Sequence, residues 1–345
     1  MSSETNSMDQ MPKKSPLSFQ VDLKKFEKAT DEEKRQQDVM SESVSFFKDG
    51  IRKLMKNPLA VGSMIALIVI IAMILIVPHV VPYKYSQIIT VNGSRDKTAG
   101  NMAPFTYSEK ELAYMAEGGE VFPHIMGTDS MGRDYFIRVI YGTRVSLTVG
   151  LFAAVIVLLI GVVYGSISGY FGGKVDMVMM RIVDILMSVP SFLIIITLNI
   201  YMNAGIRTLV VTIGLFSWMG VARIVRAEVL SLRERDFILA SEGLGARKSW
   251  VITRHFARNV FSPVLVASTN SIASAILTES SLSYLGFGIS IPNPSWGGML
   301  EGAQTYILTH PSLAVYPGGC ILLTVLCFNV LGNGFRRRFS PNSGR

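Results

Sequence analysis

The chain has 345 residues, 49% of them hydrophobic and 17% charged, with a mean hydropathy of +0.38 and a formal net charge of +8. It is too apolar and too unevenly patterned for an ordinary soluble domain, because its charges crowd into blocks separated by uncharged runs long enough to cross a bilayer. Its two cysteines, Cys320 and Cys327, exclude a disulfide framework and lack metal-ligand spacing, so they read as packing residues.

The chain begins with a tail poor in apolar residues, and residues 1–34 read as disordered. Within this 1–57 tail the pattern changes near 44–56. Phe47, Ile51, Leu54 and Met55 share one helical face, against Lys48, Arg52, Lys53 and Lys56. That is the pattern of a helix lying at a membrane interface; a plain solvated linker is the alternative. The first apolar run, within 58–81, follows a charged tail much longer than the basic region of a cleavable signal, so it reads as a retained anchor.

An 82–144 loop leads to five further runs, at 145–173, 182–206, 207–227, 259–278 and 311–335, within a 145–335 core. Four of the six runs carry no charge. Asp184 lies in the third, and Arg223 and Arg226 lie near the end of the fourth, where long basic side chains reach headgroups. In the second, Gly161, Gly165 and Gly169 recur every four residues, a spacing that brings another helix to backbone distance; a sliding face is the other reading.

The fifth run carries Ser262, Ser268, Thr269, Asn270, Ser271, Ser274 and Thr278 and reaches Glu279. Polar side chains at membrane depth line a watery cavity or bond a partner helix. Ser268, Asn270, Ser271, Ser274 and Glu279 are therefore candidates for the lining of a translocation path, with interhelical hydrogen bonding as the alternative. Glu279 has three readings: it faces a solute, gates the outer mouth, or caps the span.

Short cytoplasmic loops retain Lys and Arg, which orients the spans. With both termini inside, the tail, the 174–181 link, the 223–258 segment and the 336–345 end hold 25 of the 33 basic residues. The 82–144 loop outside has 7 basic and 7 acidic residues. The net charge thus reads as topology rather than nucleic-acid binding, and no groove-reading motif is present.

The connector at 228–258 is too long for a turn. Its stretch Asp236-Phe237-Ile238-Leu239-Ala240-Ser241-Glu242-Gly243-Leu244-Gly245-Ala246 reads as a short helix with a smooth end of small residues. Gly245 permits the left-handed backbone that turns into the next helix. Such a knob can dock in a cleft of another protein, with Asp236, Ala240, Ser241, Gly243 and Gly245 as its candidate contacts.

An enzyme finds little support: there is no phosphate-binding Gly-x-x-x-x-Gly-Lys-Ser/Thr loop and no His-Glu-x-x-His, and the four histidines are far apart. An ion-driven transporter with Asp184 and Glu279 as coupling acids is the stronger rival. Such proteins show more spans in two related halves, and this chain has no internal repeat. A membrane-anchored receptor or scaffold would not need a docking loop.

Leu239-Ala240-Ser241 followed by Gly245 resembles the signature loop of ABC importer permeases, Glu-Ala-Ala, three residues, then Gly. Leu239 stands in place of the family's Glu, and Ala257-Arg258 stands where the pattern ends in Leu-Pro. Two stretches resemble the second permease type of the oligopeptide, dipeptide and nickel group. They are Gly127-Thr128-Asp129-Ser130-Met131-Gly132-Arg133-Asp134, continuing to Ser146-Leu147, and Glu279-Ser280-Ser281-Leu282-Ser283-Tyr284-Leu285-Gly286-Phe287-Gly288, continuing through Trp296 to Leu300. Leu331-Gly332-Asn333-Gly334-Phe335-Arg336 resembles the family's C-terminal end, with Asn333 where Asp is more usual.

The resemblance, covering residues 45–340, implies an all-α integral membrane protein with six transmembrane helices in the type I ABC importer permease fold, one N-terminal helix plus a five-helix core. It implies one homologous permease, two ATP-binding subunits that carry the ATP and Mg, and an extracellular or periplasmic substrate-binding protein. This chain would bind no cofactor or metal of its own. The implied setting is the bilayer of a bacterial or archaeal cell membrane, and the implied cargo is oligopeptides or dipeptides, with nickel or another small solute as the alternative. Alternating access follows, with the connector as a coupling helix seated on an ATP-binding subunit.

On physical grounds, Gly127–Asp134 reads as a tight, charged turn entering a surface helix. Gly127, Asp129, Gly132, Arg133, Asp134 and Trp296 are its candidate external residues. Contact with the binding protein and packing against the 292–299 loop both stand, and Trp296 also suits an interfacial anchor.

Overall fold

The computed structural model describes residues 46–203, 205–245 and 257–339. The tail expected to be disordered, and residues 246–258 of the connector up to its last two positions, lie outside them. The chain divides into two units, residues 1–49 and 50–345. The described part of the first is the opening of helix α1 (Phe46–Leu54).

In the second unit, Leu54 packs with Ala60 and Leu331, while Ile51 and Met55 are exposed. Helix α2 (Pro58–Val80) starts where Asn57 accepts a hydrogen bond from the Leu59 N–H, with Pro58 at the first helical position, where its missing donor costs nothing. Its outer face is apolar throughout, with Leu59, Ile65, Ile68, Ile71, Leu75 and Ile76 all exposed. Water would not tolerate such a face; lipid does.

The segment from Val81 to Asp134 holds a two-residue ribbon, β1 (Thr90–Val91) with β2 (Ser94–Arg95), and helix α3 (Glu109–Ala116). Helix α3 is closed at its start by a capping box, in which Ser108 and Glu111 satisfy each other's backbone N–H.

Helix α4 (Tyr135–Phe171) runs 37 residues, roughly 55 Å. It starts ten residues before the expected span, because Asp134 caps it at that point. The spans expected at 182–206 and 207–227 are each broken. Helices α5 (Gly173–Ser188) and α6 (Ser191–Tyr201) meet at 71°, and α7 (Ile206–Ser217) and α8 (Met219–Arg233) meet at 40°. Pro190 causes the first break, since it has no N–H to give Leu186 and its ring crowds that carbonyl. Trp218 occupies the second, its ring 4.8 Å from that of Tyr164.

A short helix α9 (Asp236–Gly243) follows, then α10 (Ala257–Tyr284), α11 (Trp296–Ala303) and α12 (Ser312–Phe339). Among the described residues four helices are long and apolar enough to cross a membrane, and there are six spans if each bent pair is counted as one.

Helix α4 is the central post. Its glycine stripe faces α8 so closely that an added Cβ on Gly165 would lie 2.4 Å from the Ala222 carbonyl oxygen, and one on Gly169 2.9 Å from that of Arg226. The stripe is thus a close-packing seam. A second cluster joins α4, α6, α7 and α10 through Val149, Ile195, Leu209, Ile213 and Ala275. Cys320 and Cys327 are free and pack as α12 side chains.

Candidate functional site: a cavity at two helix breaks

Both breaks open onto one cavity of about 520 Å³. Met187, Val189, Pro190 and Ser191 wall it on one side, Phe216, Ser217, Met219 and Gly220 on another, and Asn270, Ser271, Ser274 and Thr278 of α10 on a third. Broken helices leave carbonyls without their helical donors, so irregular backbone at membrane depth belongs beside a polar space. No charged side chain lines the cavity among the described residues. A smaller pocket of about 190 Å³ shares Ile224, Ala267 and Asn270 with it and adds Glu228 and Arg336.

Of the five residues expected along a path, Asn270, Ser271 and Ser274 share the cavity. Ser268 does not line it; its hydroxyl bonds back to the Leu265 carbonyl at 2.6 Å. Glu279 is placed elsewhere, fully buried and reached by the hydroxyls of Ser146 and Ser283 at 2.8 Å and Ser280 at 3.3 Å. It lines neither of these two pockets and is not exposed, so it neither faces this cavity nor caps the span at an open surface. The cause is α10 itself, which runs six residues beyond the expected 278 and carries Glu279 into the packing of α4 and α11.

Trp296 is corrected in the same way. Its side chain is 0% exposed, with Nε1 donating to Thr143 and the backbone N–H to Ser146, so it is a core residue of α11 and not an interfacial anchor.

The turn at Gly127–Asp134 is built as expected but does not enter a separate surface helix; it starts the spanning α4. Asp129 accepts the Met131 and Arg133 N–H groups at 2.9 and 3.0 Å and the Nε of Arg133 and Arg138 at 2.7 and 3.3 Å. Gly127, at φ +73°, is forced, since a Cβ there would sit 2.0 Å from the Met102 carbonyl oxygen. Gly132 also has a positive φ. Asp129, Arg133 and Asp134 are all buried.

Sequence reasoning missed the histidine behind this turn. His124 is fully buried, 2.8 Å from Asp134 and 3.0 Å from Glu111, and stacked on Tyr83. Burial alone would lower its pKa, but the two carboxylates hold it up at about 9, so both ring nitrogens donate at neutral pH. Burial raises Glu111, yet the hydrogen bonds from His124 and Ser108 bring it below the usual range. Asp96 is likewise held low by Ser108 and Thr98 against its burial. The one sequence signal was Ser108-x-x-Glu111, a capping-box pattern.

The knob stands at the end of α8. Ile238 is buried with Val225 and Val229, which seats α9 on α8. Asp236, Ala240, Gly243 and Leu244 are exposed, Leu244 to 90%, and Ser241 is half-buried. Gly245 has φ +82°, the left-handed turn expected of it. Arg223 and Arg226, expected to reach for headgroups, instead pair with Asp184 and Asp176.

Residues 161–344 match the family described as binding-protein-dependent transport system inner membrane component, and residues 45–109 match the N-terminal TM domain of oligopeptide transport permease C. The chain belongs to this permease family. The oligopeptide transport system permease protein OppC of Bacillus subtilis is 36% identical to this permease over 88% of the chain and 92% of its own length. The dipeptide transport system permease protein DppC of the same organism is 36% identical over 88% of each, and OppC of Escherichia coli K12 is 36% identical over 87% and 92%. A solved chain of the MetNI methionine ABC transporter, captured in inward-facing conformations, shares the fold, with a TM-score of 0.51 at 16% identity over 59% of this permease and 97% of that chain. The permease is thus a multi-pass membrane subunit of an ABC importer, with the type I permease fold that its signature loop implied.

Proposed function

We propose that this permease conducts oligopeptides or dipeptides into the cell through the cavity at the two helix breaks. The observation that carries the reading is that cavity: its walls are mostly apolar with a polar strip of Asn270, Ser271, Ser274 and Thr278 along α10, no charged side chain lines it among the described residues, and it is large enough for one or two residues of a peptide. The names of the three relatives above, oligopeptide and dipeptide permeases, support the same cargo.

In this reading both termini and α9 face the cytoplasm and the His124 segment faces outward. A homologous permease completes the other wall of the path, and two ATP-binding subunits take up the exposed α9 knobs. An extracellular or periplasmic binding protein delivers the peptide. The permease's sequence has no Gly-x-x-x-x-Gly-Lys-Ser/Thr phosphate loop, and in this reading ATP is hydrolysed in trans. Closure of the ATP-binding subunits draws the knobs together and opens the cavity outward; reopening releases the peptide past Glu228 and Arg336.

The test is uptake of a labelled peptide panel and of labelled nickel, with and without ATP, in cells with and without this chain. ATP-dependent peptide uptake that vanishes with the chain is the expected result. Loss of nickel uptake alone would replace the cargo, and uptake driven by an ion gradient without ATP would overturn the reading.

A further inference from the structure

Arg223 and Arg226 stand three residues apart on α8, and each meets a carboxylate of α5. Arg226 grips Asp176 through Nε and Nη2, while Arg223 bonds Asp184. The first pair is half-buried, its guanidinium 32% and its carboxylate 13% exposed, and Ser168 of α4 adds a hydrogen bond to Asp176 at 2.5 Å. The second is about half exposed and contributes little on its own. Parting this half-buried, bidentate pair gives up two charge-assisted hydrogen bonds and leaves the carboxylate, the less exposed partner, without its cation, so the two helices are held to move together.

That bond joins two halves of broken spans. Helix α8 carries α9 only two residues beyond its end, with Ile238 packed back on Val225 and Val229. Helix α5 ends beside Pro190, and Met187, Val189 and Pro190 wall the cavity. The 71° and 40° bends separate α5 and α8 from α6 and α7, which are joined by their own hydrogen bond from Asn199 Nδ2 to Thr212.

We propose that Asp176 and Arg226 are positioning residues that make α5 follow α8, so that a displacement received at α9 reaches the cavity wall at Met187, Val189 and Pro190. The proposal rests on the reading of α9 as the docking helix. Neither residue needs to touch the peptide. A charge pair serves this role better than apolar contact because it fixes α5 in register on α8, not merely against it.

Two measurements on the transporter assembled with its partners in liposomes test this. Asp176→Asn is expected to leave ATP hydrolysis within about twofold while uptake falls roughly tenfold. Uptake that is unchanged, or that falls in proportion to hydrolysis, would overturn the proposal, since a purely structural role moves both together. The second measurement leaves the pair intact. Spin labels at Lys174→Cys and Ser231→Cys, with Cys320 and Cys327 replaced by Ala, should report a constant α5–α8 distance through the ATP cycle, and a change of about one helical turn, roughly 5 Å, would sink it. Gly245→Asp in parallel separates the two readings: if it transports normally the docking of α9 fails, whereas if it uncouples and Asp176→Asn does not, only the link to α5 fails.

Discussion

The indole N–H of Trp296 donates to the hydroxyl of Thr143 at 3.2 Å, across 153 positions of sequence, with both residues buried. The Trp296 backbone N–H lies 3.3 Å from Ser146 Oγ, and Ser146 in turn donates to Glu279. Helices α4, α10 and α11 are thereby locked at one point. Trp296→Ala should cost about 3–5 kcal/mol, through lost burial and an unfilled cavity. Thr143→Val, which keeps the shape but leaves the indole N–H unbonded, should cost about 1–3 kcal/mol. Thermal release of buried Cys327 to a thiol-reactive dye in detergent measures both. Unshifted melting in the two variants would mean that this point does not hold the helices.

The His124 cluster should give the segment between α2 and α4 a stability window. A raised histidine pKa contributes stability that is complete below the unfolded value near 6.5 and is lost as pH climbs through about 9. The lowered Glu111 and Asp96 contribute above their unfolded values near 4 and lose it on acidification. Protection of this segment against proteolysis should therefore be greatest from about pH 5 to 6.5, decline as pH rises from there through about 9, and fall again on acidification. His124→Gln should abolish the alkaline limb specifically. An alkaline limb that persists in that variant would assign the effect to other groups.

Gly165→Leu should separate α4 from α8, because even a Cβ meets the Ala222 carbonyl at 2.4 Å and backbone cannot yield as a flexible side chain does. Overpacking of this kind costs about 1–3 kcal/mol or more. Gly62, with nothing within 4 Å of an added Cβ, is the matched control and should accept leucine. Equal expression, melting and uptake in the two variants would contradict the packed seam.

Asn270→Leu and Ser274→Leu should leave insertion and ATP binding intact while reducing peptide uptake roughly tenfold, since each replaces a polar cavity wall by an apolar one. Ser268→Leu, outside the cavity, should be much milder. Equal losses at 268 and 274 would point to helix packing as the role of these hydroxyls.

Gly245→Asp should insert normally yet uncouple hydrolysis from uptake. At φ +82° a side chain costs about 1–2 kcal/mol in backbone strain, and a charge is added beside the exposed Leu244. Uptake at the wild-type rate would remove α9 from the coupling path.

Much of the architecture was legible without coordinates, because membrane insertion is decided by local properties: runs of apolar residues, the placement of Lys and Arg, and the short pattern from Leu239 to Gly245. Those features located the spans, the close-packing face of Gly161, Gly165 and Gly169, and the short exposed helix that ends at the Gly245 turn. Hydropathy, however, measures length and not shape, so the bends at Pro190 and Trp218 passed for continuous spans. The roles of Glu279, Trp296, Asp176, Arg226 and His124 were decided only by the tertiary structure. Each takes its meaning from a partner on another element, 50 residues away for Arg226 and 133 for Glu279. A buried charge or indole is stable only where such partners converge, and a chain read one segment at a time does not show where they meet.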